Sequence, residues 1–229
     1  MTKNITNRFN FPIPVCFATQ SGGTTLDRDQ EGGNPFATAL IRFSSLFDVK
    51  IDEFQDKLDE LTVEISHKHQ KPEWIGVELS QDWRIQKPKI GSKERRTALV
   101  LVVSDYTDSA RGTLKGAAWD ELRISAMLAR HGFSVTQGVG SSRQAILCAL
   151  DEFSKVSSNS DISIIYATGH GYEAGNNVYL IPGDYPMNNA FGATELNQDA
   201  VNISKIVSSC SAKNMNLVFF AGCRTKAED

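Results

Sequence analysis

Two short motifs hold the side chains best suited to chemistry. His170 stands between Gly169 and Gly171, and Cys223 between Gly222 and Arg224. Each motif directly follows an apolar run, DISIIYAT at 161–168 and NLVFFAG at 216–222, and both runs read as strands. A thiol and an imidazole at the ends of two strands of one sheet are the parts of a nucleophilic site, in which the imidazole takes the thiol proton and the sulfur attacks a carbonyl. The flanking glycines let a substrate backbone come close, and the amides of Gly171 and Cys223 are candidate oxyanion donors. A cysteine closing an apolar strand is more often an inert buried thiol. What favours chemistry is that both residues sit at strand ends with glycine neighbours. Cys16, Cys148 and Cys210 fall inside a strand, inside a helix and at a helix end, and read as structural. Their spacing signals neither a disulfide framework nor a zinc site.

Positioning two strand ends side by side requires a parallel sheet, and the second half of the sequence has the matching pattern. TALVLVVSDY at 97–106 predicts a strand buried on both faces. A helix from Ala117 to His131 is closed by Gly132, and FSVTQGV reads as a strand. SSRQAILCALDEFSKV predicts a helix capped by Ser141 or Ser142. DISIIYAT follows, then a loop GHGYEAGNN, a short strand VYLIP, an amphipathic segment at 197–212, and the strand leading to Cys223. The first half offers PVCFATQ as a strand, a Gly-rich polar loop SGGTTLDRDQEGG, and two segments of helical spacing, NPFATALIRFSSLF and IDEFQDKLDELTVEISHKH. Asp48 or Asp52 is available to cap the second of these, and WIGVELSQDWRI predicts a closing strand. Residues 86–96, QKPKIGSKERR, have no apolar period and read as an exposed linker.

The 229 residues, 41% hydrophobic and 22% charged, are enough for a proper core. A net charge of −3 without a basic stripe argues against nucleic acid as a partner. No apolar run approaches the roughly 18 residues of a membrane span, and MTKNITNRFN lacks the apolar core of a signal peptide. The expectation is a soluble, cytoplasmic chain with no membrane partner.

The cysteine motif resembles the caspase nucleophile signature, and His170 precedes Cys223 by 53 residues, close to the separation of about 50 in that family. IIYATGHG followed by NVYLIPGDYP resembles the histidine strand and following loop of bacterial caspase-like peptidases, and LKGAAWDE at 114–121 the segment after their first strand. CFATQSGGTTLD, GGNPFATAL and the helix to His69 resemble the small subunit, here placed before the large one. The resemblance implies a caspase-like three-layer α/β/α sandwich around a mostly parallel sheet, circularly permuted as in small-subunit-first metacaspases. A single domain 1–229 would comprise a small-subunit-like segment 1–85, a linker 86–96 and a large-subunit-like segment 97–229. Strand PVCFATQ would then dock beside the strand that ends at Cys223. The caspase intersubunit connection follows the catalytic cysteine, whereas here six residues follow Cys223, so the domain is expected to resemble the already cleaved form.

The function so implied is a cysteine endopeptidase acting through a Cys223–His170 dyad on proteins or peptides. Positions that in caspases bind a P1 aspartate fall near Leu114, at Ala221 and near Asp27, so the cationic pocket is lost. The implied substrate-binding residues are Thr25, Asp27, Ala221 and Asp184. Asp27 suits a P1 Arg or Lys, and Asp184 would compensate for Ala221, which stands where metacaspases carry an aspartate. No cofactor is required, although Asp27, Asp29 and Glu31 are oxygen donors of the kind that hold calcium in some metacaspases. The alternative is a catalytically inactive caspase-like module serving as a scaffold or regulatory binding protein. The resemblance leaves room for a regulatory protein partner and leaves the oligomeric state open.

Overall fold

A computed structural model describes residues 11–44, 51–77, 88, 91–108, 111–186 and 191–226. Its main sheet has six strands: β1 (Val15–Phe17), β2 (Glu73–Ile75), β3 (Arg96–Val102), β4 (Phe133–Thr136), β5 (Ile162–Thr168) and β9 (Met215–Phe220). They lie in the order β2-β1-β9-β5-β3-β4, all parallel except β2 on β1. Strands β3, β5 and β9 lie at the centre and are the β-branched and aromatic runs that read as doubly buried strands. Along β3 the side chains alternate sides: Ala98, Val100 and Val102 enter one core, and Leu99 and Leu101 the other.

Helices cover both faces, which makes three α/β/α layers. One core is filled by α1 (Pro35–Ser44), α2 (Ile51–Ile65) and α3 (Lys115–Arg130), through Phe36, Leu40, Phe54, Leu58, Ile124 and Leu128. The other takes Ile146, Leu150 and Phe153 of α4 (Arg143–Ser157) and Ile203, Ile206 and Val207 of α6 (Ile203–Ser208). Ser142 caps α4, its hydroxyl accepting from Ala145 N at 3.2 Å. Helix α2 begins at Ile51, so Asp52 lies within it; Asp48 is outside the described residues.

Three details depart from the sequence reading. The presumed loop 169–177 is mostly strand: β6 (Gly171–Ala174) and β7 (Asn177–Leu180) form an antiparallel hairpin. Its two-residue turn, Gly175-Asn176, has φ of 55° and 60°, and such a turn matches the right-handed twist of its strands. The segment 197–212 is not one helix. It is interrupted after α5 (Ala193–Asp199) by β8 (Val201–Asn202), and Asn202 caps α6 with its side-chain oxygen on Ser204 N at 2.8 Å. The closing strand of the first half shrinks to β2, with 78–87 outside the described residues. With β10 (Thr225–Lys226), the hairpin and β8 make a second sheet in the order β10-β6-β7-β8.

Strand β1 pairs in parallel with β9, Val15 opposite Val218 and Phe17 opposite Phe220. The early segment therefore joins the sheet beside the strand that leads to Cys223. The pairing extends past the strand ends, with Ala18 N on Phe220 O, Gly22 N on Arg224 O and Arg224 N on Gly23 O, each at 2.9 Å. None of the helices among the described residues is long and apolar enough to cross a membrane.

Candidate active site

The carboxyl ends of β5 and β9 are neighbours in the sheet, so the loops that follow them emerge together, at the place where open α/β sheets carry their sites. The two loops touch. A Cβ built on Gly171 would come within 2.2 Å of the Cys223 carbonyl oxygen. Glycine at 171 is thus required by the cysteine loop itself, a nearer cause than the substrate backbone that the sequence suggested.

His170 is held from three sides. Its backbone N–H donates to the Tyr106 hydroxyl at 2.7 Å, and the two rings pack at 4.7 Å between centroids. Its Nε2 lies 2.9 Å from the carbonyl oxygen of Arg111. A carbonyl only accepts, so this bond places the ring proton on Nε2 and leaves Nδ1 as the basic nitrogen. This partner of His170 is a backbone atom, which residue types do not reveal.

Cys223 is half-buried, and the Gly-rich loop of the early segment closes over its sulfur. Thr25 N donates to Sγ at 3.3 Å, and Thr25 Oγ1 lies 3.4 Å from it. Burial raises the thiol pKa of Cys16 well above its usual value and that of Cys210 to about 12. Both are unreactive core residues, as the sequence implied. Cys148 differs from its structural reading: it is exposed on α4 and accepts from Gln144 Nε2 at 3.2 Å.

His170 and Cys223 line one pocket of about 70 Å³, together with Thr25, Asp27, Leu114 and Ala221. Among the described residues Asp27 is its only carboxylate, and no Lys or Arg lines it. The Asp27 carboxylate also accepts from Gly116 N (3.1 Å to each oxygen) and Ala117 N (3.2 Å), so it caps α3 from outside that helix, whose own N-cap Leu114 has no side chain to do so. Asp184 lies elsewhere: its Oδ1 takes Arg143 N at 2.8 Å, at the start of α4, and it does not line the pocket.

Asn34, which the sequence reading passed over, ties the pocket walls together. Its Nδ2 donates to Leu26 O (2.9 Å) and to Ala221 O (3.4 Å), and its Oδ1 accepts from Phe36 N (2.8 Å) as the cap of α1. The signal was present in Asn34-Pro35, a capping residue followed by proline at the first helical position. Arg224, beside Cys223, is 1% exposed, stacks 4.3 Å over the Phe17 ring and pairs with Glu73 and with Glu173 (3.0 Å). It fastens the cysteine loop to β1, β2 and β6.

The three acids proposed for calcium do not point at one centre. Asp27 serves α3, Asp29 Oδ1 accepts from Glu31 N at 2.7 Å, and Glu31 pairs with Arg42 and with Arg123 (3.4 Å). Among the described residues no three His, Cys, Asp or Glu side chains converge to hold a metal ion.

Residues 95–229 match the sequence model of the caspase domain. No curated protein matches the chain.

Proposed function

Because the chain belongs to the caspase-domain family, whose members are in general cysteine peptidases, we propose that it is a cysteine endopeptidase in which Cys223 is the nucleophile and His170 its proton carrier. Nδ1 of His170 takes the proton of Cys223 Sγ as the sulfur adds to the scissile carbonyl. The amides of Gly171 and Cys223 donate to the oxyanion. The C–N bond then breaks, His170 returns the proton to the leaving amine, and a water deprotonated by the same ring hydrolyses the thioester. The observation that carries this reading is the shared pocket, with His170 oriented by Arg111 O.

The P1 residue is Arg or Lys. Among the described residues that line the pocket, Asp27 is the one carboxylate and no Lys or Arg is present, so an aspartate at P1 would meet no cation among them. The segment order is a circular permutation, in which 14–85 does the work of a small subunit on the large-subunit-like 97–229. The confinement of the family match to 95–229 and the seat of β1 beside β9 support it. The partners are protein or peptide substrates.

A peptide library varied at P1, with Cys223→Ala and His170→Ala as controls, tests the proposal. Cleavage after Arg and Lys, lost by at least a thousandfold in Cys223→Ala with an unchanged melting temperature, is expected. Undiminished cleavage in that variant removes Cys223 from the mechanism. A chain whose Cys223 ignores a thiol-reactive peptidyl probe is a binding module instead.

A further inference from the structure

The Arg111 carbonyl is the acceptor that orients His170, so what holds this carbonyl matters to the reaction. Its own side chain does. The Arg111 guanidinium lies 5.1 Å from the Tyr185 ring centroid and 5.4 Å from that of Phe191, two rings stacked 5.5 Å apart with 9° between their planes. Tyr172, two residues after His170, stacks on Phe191 at 3.9 Å. Nη1 donates to Tyr185 O at 3.1 Å and lies 3.3 Å from Asp108 Oδ2, while Nη2 reaches Pro186 O at 3.5 Å. The side chain is only 10% exposed. The next residue, Gly112, has φ of +66° and open space where a Cβ would stand, so its conformation and not crowding sets the need for glycine. The peptide plane that presents the carbonyl is therefore fixed by a guanidinium clamp before it and a left-handed residue after it.

We propose that Arg111 is a positioning residue for His170: its guanidinium, clamped by Tyr185, Phe191 and Asp108, holds its own carbonyl against Nε2 and so keeps Nδ1 basic and aimed into the site. The proposal rests on the reading of His170 as the proton carrier for Cys223. Loss of the clamp frees the peptide to rotate and the imidazole to turn or change tautomer, which slows the chemical step. Arg111 does not line the substrate pocket, so ground-state binding is left as it was.

Arg111→Met keeps the length and apolar stem and removes the cation; Arg111→Lys keeps the cation and one donor to the Tyr185 and Pro186 carbonyls. Both are compared with wild type for peptide hydrolysis and for iodoacetamide alkylation of Cys223, read by peptide mapping with the exposed Cys148 as internal control. Arg111→Met should lower kcat at least tenfold with KM within twofold, and slow alkylation of Cys223 severalfold relative to Cys148; Arg111→Lys should recover part of both. Should Arg111→Met not fold, Phe191→Leu, which removes one wall of the clamp, should give a smaller loss in the same direction. Alkylation of Cys223 within twofold of wild type, or a rise in KM alone, overturns the proposal. If wild type cleaves no peptide but Cys223 alkylation still falls in Arg111→Met, the endopeptidase reading fails and the positioning role stands.

Discussion

Asp27 has two claims on one carboxylate. Its oxygens already accept two backbone N–H groups at the start of α3, in three contacts, yet the same residue lines the pocket with Cys223. Arg28 Nε also lies 3.4 Å from Oδ2, so a donor from a substrate side chain would share the carboxylate with Arg28. The bonds to α3 hold the carboxylate in place and spread its charge, so P1 discrimination should be modest. Asp27→Asn keeps an oxygen for the α3 amides and removes the charge. Its kcat/KM for Arg and Lys substrates should fall roughly tenfold, equivalent to about 1.4 kcal/mol for one charge-assisted contact, with little change for neutral P1 residues. Equal cleavage of Arg and Lys substrates by variant and wild type would remove Asp27 from P1 recognition. The sequence made the acid visible in its Gly-rich loop, but not its second partner. A cap supplied from 89 residues away is a tertiary fact that no local pattern encodes.

At the scale of elements, α3 is joined to the pocket through a buried acid. Asp120 is fully buried; Oδ2 accepts from Asn34 N at 2.9 Å and Oδ1 from Arg123 Nη2 at 2.8 Å. Burial pushes its carboxyl up from 3.8 to about 7, against the pull of those donors. The native state thus holds the proton more tightly than the unfolded chain, and this contribution to stability is complete below pH about 4 and lost as pH rises through about 7. The unfolding free energy of wild type should fall over that window by about 4 kcal/mol at most. Asp120→Asn cannot ionise and still offers an oxygen to Asn34 N, so urea melts of this variant should show a flatter pH profile. A wild-type profile no steeper than that of Asp120→Asn would mean that Arg123 keeps Asp120 charged throughout. Elements were legible where side-chain period and core agreed, as in β3, β5 and β9. They were misread where a short polar motif set the backbone. Gly175-Asn176 is a hairpin turn signal, and Asn202 a capping signal, inside stretches whose apolar pattern alone suggested a loop and one continuous helix.

For the whole molecule, the question is whether the early segment and residues 97–226 are one cooperative unit or two. Packed contacts run between them. Val15 and Phe17 of β1 share a core with Leu99, Ile165 and Val218, Phe36 packs its ring against Phe219, and the site needs Thr25 from one segment and Cys223 from the other. Continuity through the connection is a lesser matter, because Gly91–Arg95 is an exposed stretch joined to the rest chiefly at Arg95, whose N–H donates to Asp161 at 2.7 Å. Cutting an exposed connection raises the entropy of the unfolded chains but removes no packed contact. A specific protease site placed between Gly91 and Ser92, cleaved after folding, should therefore yield two fragments that co-elute in gel filtration and keep the probe reactivity of Cys223, with a lower and concentration-dependent melting temperature. Fragments that separate at micromolar concentration would show that the β1–β9 seam and the shared cores are too weak to hold the parts together. The linker would then be what keeps Thr25 against Cys223.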